Sequence, residues 1–118
     1  MNENVESIQL DKDLLSDYVQ RLGHDVVKQM FDLYTQQVAL YINDIESSVL
    51  CDNSQLWQEH CHKMKGAAGS VGLKSLHLRL KDMEKTTISA SGKAQQLAEL
   101  KDHNKQAITV FNNWLSGL

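Results

Sequence analysis

Proline is absent from this 118-residue chain, cysteine occurs twice, and aromatic residues make up only 6%. Without proline, nothing interrupts long helices by removing a backbone donor. Cys51 and Cys61 are too few for a disulfide framework and are read as reduced thiols. No apolar run approaches the roughly 20 residues of a membrane-spanning helix, so no membrane partner is expected. The opening MNENVESIQLDKD is polar and acidic, unlike a secretory signal, which leaves the cytoplasm as the expected compartment. Positive charge is also short: 12 Lys and Arg stand against 15 Asp and Glu, a formal net charge of -3. No basic stripe is available to neutralise phosphates, and nucleic acid is not an expected partner.

What is present is helical periodicity. At 42% hydrophobic residues the chain can bury one core, which predicts a single domain over residues 1–118. Between Asp25 and Leu50 the apolar positions Val27, Met30, Tyr34, Val38, Tyr41, Ile45 and Val49 recur every three or four residues, as one buried helical stripe requires. The turn residues CDNS at 51–54 predict a new helix starting near Ser54 or Gln55, with Trp57, Cys61, Met64, Ala68 and Val71 inward. Leu73, Leu76, Leu80 and Met83 form a third stripe, and TTISASGK at 86–93 is expected to be a loop. Leu97, Leu100, Ala107, Ile108, Phe111 and Leu115 mark a last helix. Upstream, LDKDLLSDYVQRLG makes a short helix that Gly23 can end. Strand signals are absent. The expected fold is all-α: an antiparallel up-down four-helix bundle with a short accessory N-terminal helix.

Residues 60–72, HCHKMKGAAGSVG, depart from this pattern by losing side-chain bulk, with Gly66, Gly69 and Gly72 three residues apart. At 100° per residue, Gln55, Gln58, Glu59, His62, Lys65, Gly66 and Gly69 share a face away from the apolar stripe. His62 is therefore expected to be exposed, with Lys65 at i+3 and bare backbone at i+4 and i+7. A glycine inside a helix costs about 0.5 to 1 kcal/mol relative to alanine. A buried core gains nothing from that cost on the solvent side, so Gly66 suggests close approach by something external. Gly69 and Gly72 fit equally a helix end or the packing of a neighbour.

The run H-K-M-K-G-A-A-G-S-V-G from His62 to Gly72 resembles the phospho-acceptor motif of histidine-containing phosphotransfer (HPt) domains, commonly H-x-[L/M]-K-G-[S/A]-[S/A]-x-x-[L/V/I]-G. It is most similar to the HPt domains of the ArcB-type anaerobic sensor kinases. The resemblance implies a four-helix bundle with an accessory N-terminal helix. It implies that His62 is the phospho-acceptor, Lys65 the charge that neutralises the phosphoryl group, and Gly66 the residue that makes room. Gln58, Glu59, Gly66 and Gly69 are then the expected partner-docking positions. Many ArcB-type members place a glutamine on the following helix to hold the imidazole; the aligned position here is Glu84, an acid that can accept from the ring but repels a phosphoryl group.

The implied role is a phosphorelay intermediate with no kinase activity of its own. Its partners would be the receiver domains of a hybrid sensor kinase and of a response regulator, it would act as a monomer, and any Mg²⁺ would be supplied by the receiver. Imidazole suits such a relay because its pKa near 6.5 leaves much of it neutral and nucleophilic, and its phosphoramidate is labile. Phosphoryl transfer asks for in-line geometry and charge neutralisation more than covalent machinery. No Gly-rich nucleotide loop, Walker lysine or acidic triad is present, so ATP and metal belong to other proteins. A chain of this extent fits a free-standing relay protein or a domain cut from a hybrid kinase.

Other readings fare less well on the same residues. On a helix His60 and His62 point about 160° apart, so one metal ion cannot take both. Cys61 lies on the apolar stripe, where an inert buried thiol is expected. Glu59 is read as a solvated helix acid rather than a general base, Trp57 and Trp114 as core or bundle-end residues, and His24, His77 and His103 as surface or flank residues. The phosphotransfer hairpin of a sensor kinase expects an acid after the histidine and a later proline; Lys63 follows His62 and proline is absent. The alternative from another class is a helical adaptor whose small-residue face docks a partner helix without phosphochemistry.

Overall fold

The computed structural model describes residues 2–118, with side chains from Val5 onward. Six helices run α1 (Asn2–Gln9), α2 (Lys12–Leu22), α3 (His24–Leu50), α4 (Ser54–Ser70), α5 (Lys74–Glu84) and α6 (Ala90–Ser116), and no strand occurs among the described residues. The chain has the all-α fold expected, with α3 to α6 as the four-helix bundle and α1 and α2 packed against it. Connections of a few residues leave each bundle helix no choice but to turn back on its predecessor. Neighbours pack in a ring, α4 against α5 and α3, and α6 against α3 and α5. The long helices, 27 residues each in α3 and α6, set the 43 Å long dimension of the molecule.

The helix boundaries follow local chemistry. Gly23, at φ 90°, ends α2 with its N–H on the carbonyl of Val19 and lets α3 begin at once. That backbone region favours glycine, which is why the chain can turn on one residue. The Asn53 side chain accepts from the N–H of Leu56 at 3.0 Å and starts α4 at Ser54, as CDNS predicts. Ser89 caps α6, so the expected loop over 86–93 is shorter: Ala90, Ser91, Gly92 and Lys93 are already helical. The Ser and Gly residues that suggested a loop are a cap and a first turn. Lys93 is buried there, its Nζ over the Trp57 ring at 5.5 Å from the centroid and on Ser54 Oγ at 3.2 Å.

The core stripe of α3 is Val27, Phe31, Tyr34, Val38, Ile45 and Ser48, so Phe31 takes the inward place expected for Met30, which is half-buried. Phe31 stacks on Phe111 of α6 with ring centroids 3.7 Å apart. Tyr34 gives its hydroxyl to Asn104 Oδ1 at 2.8 Å, which satisfies two polar groups buried between α3 and α6.

The accessory segment is two helices rather than one. The expected short helix is α2, and α1 precedes it. Helix α1 offers little apolar signal: Val5 and Ile8 are exposed, and it is Leu10, just beyond its end, that is buried. The corner between α1 and α2 seals one end of the bundle, where the Asp11 N–H meets the carbonyl of Gly72 at 2.9 Å. Gly72 has φ 75°, and a Cβ there would lie 2.7 Å from Leu15. Gly72 thus follows the end of α4 and admits α2, so a helix end and the packing of a neighbour meet at one residue.

Candidate functional site

Helix α4 presents its mixed face as the 100° phasing requires. Trp57, Cys61, Met64 and Ala68 are buried, while the His62 side chain is 65% exposed. His60 leans toward α3, its Nδ1 3.9 Å from Asp44 Oδ2, whereas His62 turns to α5. The two imidazoles serve different helices. Burial pushes the Cys61 thiol up to about 12, with Glu84 adding to the shift, so it is no nucleophile at neutral pH.

His62 is held by a residue 22 positions away. Its Nδ1 lies 2.5 Å from Glu84 Oε1, and Lys65 Nζ lies 2.7 Å from Glu84 Oε2. A carboxylate only accepts, so in the neutral ring the proton sits on Nδ1 and the lone pair belongs to Nε2. The Lys65 hydrogen bond, with a smaller one from His62 and the charges of both, holds the Glu84 carboxyl below its usual 4.5 against the opposing effect of burial. Glu84 is placed by the last turn of α5, where the indole N–H of Trp57 donates to the Met83 carbonyl at 2.6 Å. Trp57 is core, as expected, and it also fastens the backbone beside Glu84.

The expected docking positions separate. Gln58 and Glu59 are exposed beside His62, with Gln55 Nε2 donating to Glu59 Oε1 at 3.4 Å. Gly66 is exposed, and a Cβ there would meet nothing within 4 Å. At Gly69 a Cβ would lie 2.8 Å from His77 Nδ1, and that nitrogen donates to the Lys65 carbonyl at 3.0 Å. The bare backbone at Gly69 therefore admits a side chain of this chain, which braces α4 one turn past His62. His77 is half-buried in this contact, and the spacing of the glycines alone did not reveal it. Among the described residues no three His, Cys, Asp or Glu side chains converge to hold a metal ion.

The bundle thus exposes an oriented imidazole beside a lysine and a bare helical turn. The model of the Hpt domain family matches residues 29–113, and the chain belongs to that family. Hpt domains are phosphotransfer carriers, and the chain is a phosphorelay intermediate of two-component signalling.

It is similar to the aerobic respiration control sensor protein ArcB of Escherichia coli O157:H7, with 25% identity over 109 residues. ArcB of Escherichia coli strain K12 is 24% identical over the same length. Each alignment covers 91% of this chain and 14% of the relative, so the chain spans only a small part of those proteins. The histidine-containing phosphotransfer domain of Escherichia coli ArcB superposes with a TM-score of 0.86 at 23% identity, covering 96% of this chain and 98% of that one. A solution structure of that domain gives 0.82 at 24%, covering 98% and 95%.

Proposed function

We propose that His62 accepts a phosphoryl group from the aspartyl phosphate of one receiver domain and passes it to the aspartate of another. The single observation that carries this reading is the tie between His62 Nδ1 and Glu84, which puts the proton of the neutral ring on Nδ1 and so gives Nε2 the lone pair. In the transfer, Nε2 attacks phosphorus in line, the P–O bond to the aspartate breaks, and its electron pair returns to the receiver's carboxylate. Lys65 has donors to spare after meeting Glu84 and steadies the phosphoryl oxygens. Mg²⁺ comes with the receiver, for both oxygens of Glu84 are already engaged. Gln58, Glu59 and Gly66 form the rim on which the receiver settles, with Gly69 at its edge. The chain acts as a monomeric single unit in the cytoplasm and has no kinase activity; no helix among the described residues is long and apolar enough to cross a membrane.

Incubation with a labelled receiver tests the reading. Wild type and His60→Gln are expected to take up label and His62→Gln to take up none, with helical content unchanged in all three. ATP alone is expected to label nothing. Uptake by His62→Gln, or labelling of the pure chain from ATP, would overturn it.

A further inference from the structure

Helix α5 grips the mixed face of α4 at two places, and only one of them is the reactive pair. Glu84 lies opposite His62. Seven residues earlier on α5, about two turns, His77 lies opposite Gly69, itself seven residues after His62 on α4. The two antiparallel helices thus repeat their contact at one interval along one seam. At the second contact His77 Nδ1 stands 3.0 Å from the Lys65 carbonyl, and the ring edge fills the room of the missing Cβ at Gly69, which would lie 2.8 Å from Nδ1 and 3.3 Å from Cε1. A carbonyl only accepts, so Nδ1 of His77 carries a proton. Lys65 is therefore held from α5 at both ends, its carbonyl by His77 and its ammonium by Glu84 at 2.7 Å.

The remaining contacts of α5 do not fix its rotation. Leu76, Leu80 and Met83 are buried, but apolar burial is non-directional and resists a small roll of the helix only weakly. Trp57 pins the last turn through the Met83 carbonyl, and a helix pinned at one point can still swivel about it. A second directional contact two turns away removes that freedom. We propose that His77 is a positioning residue for phosphoryl transfer: by holding the Lys65 carbonyl in the space left at Gly69, it fixes the roll and register of α5 at which Glu84 reaches His62 and Lys65 together. The proposal rests on the relay reading of His62. Without this contact the Glu84 carboxylate drifts from the two donors it serves, and small misplacements are costly in such reactions. An alanine at Gly69 attacks the same contact from the other side by driving the imidazole off the carbonyl.

The experiment compares His77→Asn with His77→Gln in the full chain with ¹⁵N-labelled histidine. Asparagine carries an amide N–H at the branch where His77 has Nδ1, and glutamine carries its own one bond farther out, whereas glutamine is the better helix former. A merely structural role therefore favours glutamine, and a positioning role favours asparagine. Each variant is read twice, by transfer from a labelled receiver at neutral pH and by the ¹⁵N ring shifts of His62 in alkaline solution, where imidazole is neutral. His77→Gln and Gly69→Ala are expected to lose roughly 10- to 100-fold in transfer rate. In both, the His62 proton should divide between Nδ1 and Nε2, and His77→Asn should recover most of the rate and of the tautomer. Wild-type transfer by His77→Gln, an unchanged His62 tautomer in it, or equal losses in His77→Asn and His77→Gln overturn the proposal. So does a wild-type His77 whose neutral ring carries its proton on Nε2, a result that needs no variant to fold. If His62 responds as expected but no receiver exchanges phosphate with wild type, the His77 assignment stands and the relay reading falls.

Discussion

At Glu84 one carboxylate accepts from an imidazole through Oε1 and from an ammonium through Oε2, so a single side chain couples the nucleophile to its neighbouring cation. Because the folded protein holds this carboxyl below its usual 4.5, led by the Lys65 hydrogen bond, the linkage has a definite sign. The unfolded chain takes up the Glu84 proton first as pH falls, so the stabilisation is present above the unfolded pKa and is lost as pH drops through the lower folded one. Glu84→Gln should therefore be less stable than wild type at neutral pH. The difference should shrink in acid as the wild-type carboxyl protonates, and denaturant unfolding of both proteins at neutral and acid pH reads it directly. A difference that grows toward acid would mean the tie does not favour the ionised acid.

At the scale of the element, α4 carries both the site and its signature. Gly66 is helical, exposed and free of neighbours, so Gly66→Ala should stabilise the bundle by about 0.5 to 1 kcal/mol through helix propensity. Gly66→Leu should also fold, since its side chain enters open space, yet phosphoryl transfer should fall sharply because a bulky group then stands one turn from His62 where the receiver's rim must sit. Thermal melting beside transfer rates from a labelled receiver checks both; a Gly66→Leu protein that transfers at the wild-type rate would move the docking face elsewhere.

This face was legible in advance because helical phase depends only on counting. The same counting recovered the burial of Cys61 and the divergence of His60 and His62, and Asn53 and Gly23 marked helix ends by local chemistry. It misplaced Phe31 and Met30 by one position, where two adjacent apolar residues compete for one stripe. It missed α1, whose apolar residues face outward, and overextended the 86–93 loop, because a serine cap and a loop share residue types. The contacts that complete the site join residues 12 to 26 positions apart, His77 to Lys65, Lys65 and His62 to Glu84, and Trp57 to Met83. Alignment singled out Glu84, but no local spacing shows which of its oxygens each partner takes.

At the scale of the molecule, the bundle keeps its sealed end and its reactive face apart. Leu15 of α2 lies over Gly72, ten residues beyond His62 and past the end of α4, and is almost fully buried at 1% exposure. The contacts that hold His62 run instead to α5, through Glu84 and the Trp57 hydrogen bond to Met83. Stability and transfer should then be separable. Leu15→Ala removes a core side chain where the backbone of Gly72 leaves little to collapse into the space, so it should cost about 2 to 5 kcal/mol. While the variant remains folded, its rate of accepting phosphate from a labelled receiver should equal that of wild type, because nothing within reach of the His62 ring has changed. Melting temperature and transfer rate, taken on the same preparation well below the transition, decide the matter. A large loss of transfer in a fully helical Leu15→Ala protein would show that the α1–α2 corner governs how α4 presents its histidine.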